Sequence, residues 1–520
     1  MKLKTIINTL SLAAVALVAT GCQDTDAQIN IAEAYAPELV SVTPATADVV
    51  LYGEKTFKVK FNERIFFATK NTSLITLNGV PVKKASVIGA DSVLTIVADV
   101  DFKKTQTLNI PAGLILGPQK TPLDQELSFT WTINELPSND ATAMTKKLGW
   151  GWNLGNHFDT SDTQWGYWDG ATPTAATFQT IANAGGRTVR VPVTWTNHMD
   201  ANQTIDAAYL NEVKGVVDLA VNAGLNVILN THHDSFEKGI KQSAEKAEQA
   251  KADSALISTL WTQVANKFAD YGDNLIFETF NEVHGADYDE NGNITSEDWG
   301  NGSEAQFAML NQWNQWAVNA IRATGGNNAQ RWIGVSGYAA NIDLTLAHLV
   351  LPTDPANHIM VGVHCYDPYN FCLHPMNDDG SVLANSWGHN ADPNTSVSGA
   401  NEEYIISQLY KLRTAYIEKG IPCYLGEYGC VWQTTDLANK FRAYYLEFFC
   451  RAAYLAGIPM FVWDNNAKNS GNEANGYIDH ATGAWLNDSE TVVPAMIKAC
   501  TSTDESYWFD AIWAKSPAGN

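Results

Sequence analysis

The stretch "LIFETFNEVHG", Leu275 to Gly285, begins like an interior β-strand and ends unlike one. Leu275, Ile276, Phe277 and Phe280 form a short apolar run, which Asn281 and Glu282 close, with His284 just beyond. A run of this length bounded by polar residues reads as a strand buried on both faces, as in parallel sheets. Burying a carboxylate beside an amide at such a strand's end is costly. The arrangement gains meaning only if other strands of the chain end the same way.

Seven other segments match it. They are "GWGWNL" (149–154), "TVRVPV" (188–193), "NVILNT" (226–231), "RWIGVSG" (331–337), "HIMVGVH" (358–364), "CYLGEY" (423–428) and "PMFVWD" (459–464). Helical patterns lie between most of them, such as "AAYLNEVKGVVDLAVNAG" (207–224) and "NEEYIISQLYKLRTAYIEKG" (401–420). Eight βα units predict a (β/α)8 barrel with enlarged loops over residues 138–520. A doubly wound open sheet is the alternative, but nothing resembles its Gly-rich phosphate loop.

Upstream the period changes. "TFKVKF" alternates Phe57, Val59 and Phe61 with lysines, and "SFTWTI" alternates Phe129, Trp131 and Ile133 with small polar residues. Period-two alternation separated by turn signals predicts a small antiparallel, immunoglobulin-like sandwich over 38–134. Trp131 sits on its apolar face, so the module reads as a spacer in preference to a sugar binder. "LPSND" (136–140) is the predicted linker.

The first residues are a targeting segment. Lys2 and Lys4 precede "LSLAAVALVATGC", too short an apolar run for a stable membrane anchor. Ala19-Thr20-Gly21-Cys22 resembles the bacterial lipoprotein junction, which implies a signal peptide over 1–21, a lipid on Cys22 and a tether over 22–37. An ordinary signal peptide is the alternative, and either predicts export. The expected location is the bacterial cell envelope, outward-facing on the outer membrane, with membrane contact only through the lipid. The formal net charge of −23 argues against nucleic acid as a partner. Six cysteines follow Cys22, all beyond residue 360; disulfides and buried free thiols both remain open.

Chemistry on such a barrel sits where strands end at the C-terminal face. The predicted ends supply Asn153, Asn156 and His157; Arg190; His232, His233 and Asp234; Asn281 and Glu282; His364 and Tyr366; Glu427; and Trp463 with Asp464. Two glutamates across a barrel mouth, Glu282 and Glu427, suit glycoside hydrolysis, in which one protonates the leaving oxygen and the other attacks carbon or activates water. Arg190 can hold one of them ionised, and Tyr366 can donate to it.

From about Ala141 onward the chain resembles glycoside hydrolase family 5. The resemblance rests on "GWNLGN", "RVPVTW", "NTHHD", "FETFNE", "VHCYDPY", "LGEYG" and "FVWDNN", in that order. It implies Glu282 as general acid/base and Glu427 as nucleophile. It further implies Asn281 on the sugar hydroxyl beside the reacting carbon, and Arg190 and Tyr366 around Glu427. His232 and His364 would line the reacting subsite, above a Trp463 platform. His233 and Asn156, at the same mouth, are counted with the substrate-binding residues. Cys365 is expected to turn away from the site.

Other readings stand beside these. His232-His233-Asp234 could suggest a metal, but adjacent strand residues point to opposite sides, and no metal is expected. "DYDENGNITSED" (287–298) matches part of a calcium loop at Asp287, Asp289, Asn291 and Gly292, with Asp298 where a bidentate Glu belongs; a turn rich in Asp and Asn looks the same. Trp165, Trp168 and Trp299 lie near predicted loops, where they can stack on sugars or simply pack. The expected function is a retaining endo-β-1,4-glucanase, monomeric and cofactor-free, acting on a β-glucan. Xyloglucan, mixed-linkage glucan and mannan remain open as substrates. The competing classes are a catalytically dead glycan-binding protein, against which both glutamates argue, and a metal-dependent amidohydrolase, against which the missing His-x-His argues.

Overall fold

A computed structural model describes residues 35–46, 50, 53–88, 91–101, 103–133, 135–161, 166–504 and 506–518. The signal segment, Cys22, the tether up to residue 34 and Trp165 lie outside the described residues.

Eight parallel strands close into a barrel: β1 (Trp150–Asn153), β2 (Thr188–Val191), β3 (Asn226–Asn230), β4 (Leu275–Glu278), β5 (Ile333–Asn341), β6 (Ile359–Cys365), β7 (Cys423–Tyr428) and β8 (Met460–Val462). Each pairs with its sequence neighbour, and β8 returns to β1 through Trp150–Met460, Gly151–Phe461 and Trp152–Val462. All eight predicted strands are present. Five of them, β1, β2, β3, β4 and β8, stop one or two residues early at their C-terminal ends. There the backbone leaves the ladder for other partners. Val193 N–H donates to the Asn230 side chain, His232 N–H to Val193 O, and Thr279 N–H to Gly334 O. Conversely β5 runs longer, through an irregularity between Ser336 and Asn341 where Ala339 and Ala340 take positive φ.

The barrel floor is plugged by a helix that the linker reading did not anticipate. Asn139 accepts from Thr142 N–H and Thr142 Oγ1 accepts from Asn139 N–H, a reciprocal cap that starts the helix Asp140–Leu148. Its Met144 and Leu148 pack against Ile228, Ile276, Met360, Tyr424 and Phe461, the inward residues of the lower barrel. These come from β3, β4, β6, β7 and β8, so one short helix seals the N-terminal end and leaves the C-terminal end as the open face.

The N-terminal module is a sandwich of two four-stranded antiparallel sheets, with 53–61 beside 93–100 in one and 105–110 beside 127–132 in the other. Phe57, Val59, Phe61, Phe129 and Trp131 fill its core, and the Trp131 indole N–H donates to Ala45 O at 3.0 Å. Ile133, in phase with Phe129 and Trp131, packs instead into the barrel's core. The sandwich also meets the barrel through the Lys55–Glu403 ion pair.

All six cysteines after Cys22 are buried free thiols. No helix among the described residues is long and apolar enough to cross a membrane.

Candidate active site

Arg190 projects from β2 into the barrel mouth with no solvent exposure. Such a charge must be paired. Its Nη1 donates to Glu427 Oε1 at 2.8 Å and to Asn153 Oδ1 at 3.0 Å, while Nε and Nη2 hold Glu278 Oε1 at 3.0 and 2.7 Å. Nη2 also reaches Asn281 Oδ1 at 2.8 Å. One planar fork thus sets residues from β1, β4 and β7.

Glu427 is buried at the end of β7, and both of its oxygens are engaged, Oε1 by Arg190 and Oε2 by the Tyr366 hydroxyl at 2.9 Å. Burial alone would raise its pKa. His364, Arg190 and Tyr366 outweigh burial and hold the carboxyl below the usual range, so it stays ionised. Glu282 lies opposite, just past β4, with its side chain more exposed at 19 %. Its Oε1 accepts from His364 Nδ1 at 2.5 Å, and His364 Nδ1 is 3.8 Å from Glu427 Oε2. The His364 ring is buried, which lowers its pKa, but the two carboxylates more than compensate and raise it. Glu282, His364 and Glu427 each present one polar atom within 4.8 Å of the others. An approach this close is compatible with the nucleophile pairing of retaining enzymes, whose two carboxyl groups lie about 5–5.5 Å apart.

These groups sit in a cleft of about 810 Å³, lined also by Asn156, Trp168, His232, His233, Trp299 and Trp463. Trp463 follows β8 and lies over Gly155, where an added Cβ would come within 2.7 Å of the indole ring. It runs parallel to His232 at 5.8 Å and lines the cleft, where an indole can carry a sugar ring. Burial, His233, Arg190 and His364 all push the His232 pKa far down, so this ring is neutral. Trp168 and Trp299 are half-exposed on the rim, and Trp299 stacks on His284 at 3.8 Å.

All ten sequence-predicted site residues outside the signal segment meet in or around this cleft, Asn281 through Arg190. Two orientation rules did not hold. His232 and His233 both line the cleft, because β3 ends at Asn230 and strand alternation no longer applies. Cys365 belongs to the core but also borders the cleft. The 287–298 segment is a β-hairpin in which Asp287 pairs with Lys241, Asp289 accepts from Asn291 and Asn293 N–H, and Asp298 caps Asn301 and Gly302. Sequence reading missed Glu278, Tyr424 and Glu237. Glu278 was findable. It shares the inward face of β4 with Ile276, and the five N–H donors of a buried Arg190 need several acceptors.

Residues 149–469 match the cellulase family, glycosyl hydrolase family 5. The chain is similar to an Endoglucanase A of Clostridium longisporum, 32 % identical over 66 % of this chain and 63 % of that protein, so it spans less than two thirds of that relative. Among solved structures, a GH5-4 broad specificity endoglucanase from Bacteroides salanitronis superposes with a TM-score of 0.63 at 40 % identity, over 71 % of this chain and 97 % of that one. A Bacteroidetes-affiliated GH5 cellulase linked with a polysaccharide utilization locus superposes at 0.65 with 36 % identity, over 74 % and 99 %.

Proposed function

From its membership of the cellulase family, glycosyl hydrolase family 5, we propose that this chain is a retaining endo-β-1,4-glucanase. The observation that carries the reading is the close pairing of Glu282 and Glu427 across one cleft, of which only Glu427 bonds a buried guanidinium.

In this reading Trp463 seats the reacting sugar, and Asn281 binds the hydroxyl next to the anomeric carbon. Glu427 attacks that carbon while Glu282 protonates the departing oxygen, giving a glycosyl-enzyme and the free leaving sugar. Glu282, now a base, takes a proton from water, which attacks the same carbon and releases Glu427. Two inversions restore the β configuration. Arg190 and Tyr366 stabilise the ionised Glu427 before attack. His364, touching both carboxyls, shifts its hydrogen bonding as charge moves between them.

The broad specificity in the name of the Bacteroides salanitronis neighbour favours a cleft that accepts more than one β-1,4-linked polymer. The cleft's size and half-exposed rim tryptophans support that breadth. We read the chain as monomeric and free of metal, held outside the cell by a lipid on Cys22. The experiment is reducing-sugar release from carboxymethylcellulose, mixed-linkage β-glucan, xyloglucan and mannan. Activity on a glucan that Glu427→Ala lacks supports the proposal. A well-folded wild type inactive on all four refutes it.

A further inference from the structure

Glu237 lies in the loop after β3, in none of the roles above, yet it is a carboxylate with only 3 % exposure. Its Oε1 accepts from Asn281 Nδ2 at 3.2 Å and from the Glu282 backbone N–H at 3.4 Å. Its Oε2 takes His233 Nδ1 at 3.0 Å, and its backbone oxygen takes His284 N–H at 3.1 Å. All three oxygens of Glu237 are therefore committed to the four-residue segment 281–284 or to His233, which lines the cleft.

The consequence concerns the Asn281 amide. Arg190 Nη2 can only donate, so it fixes Oδ1 on its own side. Glu237, an acceptor, fixes Nδ2 on the other. Held from both ends, the amide cannot flip, and its remaining N–H points in one direction. Asn281 is the group proposed to donate to the hydroxyl beside the reacting carbon, a bond that must strengthen in the transition state. Glu237 also tethers the peptide N–H of the proposed acid/base. It stays an acceptor throughout: burial would raise its pKa, but His233 outweighs that and lowers it.

We infer that Glu237 is a positioning residue for the reaction, one that orients Asn281 toward the sugar's 2-hydroxyl and sets the backbone of Glu282. The inference rests on the proposed reaction at this site. It works through Asn281, so its effect depends on a substrate hydroxyl that Glu237 never touches, and a purely structural role would show no such dependence.

The test uses the full chain and two activated aryl β-cellobiosides, one intact and one lacking the 2-hydroxyl on the reacting sugar. Glu237→Ala should lower kcat/KM on the intact substrate by about 10- to 100-fold, the scale of one lost hydrogen bond to a charged group. The loss should be much smaller on the deoxy substrate. Glu237→Gln keeps an acceptor oxygen toward Asn281 and Glu282 and should stay near wild type on both. Glu237→Asp preserves the charge opposite His233 but withdraws the oxygen, and should show a weaker version of the same substrate dependence. The inference can be read from that variant even if Glu237→Ala does not fold. Equal losses on both substrates in either variant overturn it. A wild type inactive on the intact glycoside would instead refute the proposed reaction, so the two failures are distinct.

Discussion

Arg190 Nη1 lies 2.8 Å from Glu427 Oε1, and the same guanidinium binds Glu278 at 2.7 Å, with none of the three side chains more than 7 % exposed. One guanidinium is thus shared between the carboxylate proposed as nucleophile and a second buried carboxylate. Glu278 is held further by Tyr424 at 2.6 Å and Asn230 at 2.9 Å, which leaves Arg190 to charge-compensate Glu427.

Replacing Arg190 by Met should therefore do two separable things. Two buried carboxylates lose their counter-ion, so unfolding free energy should drop by about 3–5 kcal/mol, measured by denaturant titration. Arg190 also helps depress the Glu427 pKa, so its loss should move the acidic limb of the kcat/KM profile to higher pH. An unmoved acidic limb in a folded variant would show that Arg190 does not govern the ionisation of Glu427.

A second network sets stability on the alkaline side. His480 is fully buried, which lowers its pKa, but Asp169 at 2.8 Å and Asp464 at 3.4 Å outweigh burial and raise it from 6.5 to about 9. A raised histidine pKa contributes stability that is complete below pH 6.5 and is lost as pH rises through 9. Thermal midpoints of His480→Asn should fall below wild type at pH 6, and the two curves should converge toward pH 9. Parallel curves would mean the ring does not titrate in that window.

These two networks also show what sequence could and could not reveal. The barrel was legible because eight apolar runs separated by helical periods allow few other architectures. Strand ends were overrun where apolar residues continue beyond the ladder. Phe280, for example, leaves β4 yet is buried against Phe236 and Trp313. Glu282, Glu427 and Arg190 stood out because charge is expensive at the end of an apolar run. Glu237 did not, because it sits in a polar loop and gains its role only when the loop folds onto β4. Its spacing of four from His233 was the available signal.

The sandwich should be dispensable for turnover on soluble substrate, since none of its described residues lines the cleft. The cut belongs before Ile133, which packs with the barrel core, and removing residues up to 132 should leave kcat/KM unchanged. A large loss in a folded truncation would show that the sandwich takes part in catalysis. A deficit confined to insoluble polymer would assign it a binding role.

Lipid at Cys22 predicts that the protein partitions into the detergent phase and that Cys22→Ser moves it to the aqueous phase. Aqueous partitioning of the wild type, after expression with its signal segment in a bacterium that processes lipoproteins, would contradict the anchor.

The central claim is that Glu427 attacks carbon directly while Glu282 handles the proton, and the stereochemistry of the product reads this out. Proton NMR during the first minutes of hydrolysis of a β-glucan oligosaccharide, before mutarotation, identifies the anomer that forms first. The close pairing of Glu282, His364 and Glu427 predicts the β-anomer, by double displacement. An α-anomer appearing first would mean that water attacked the sugar in a single step, and would contradict the assignment of Glu427 as nucleophile.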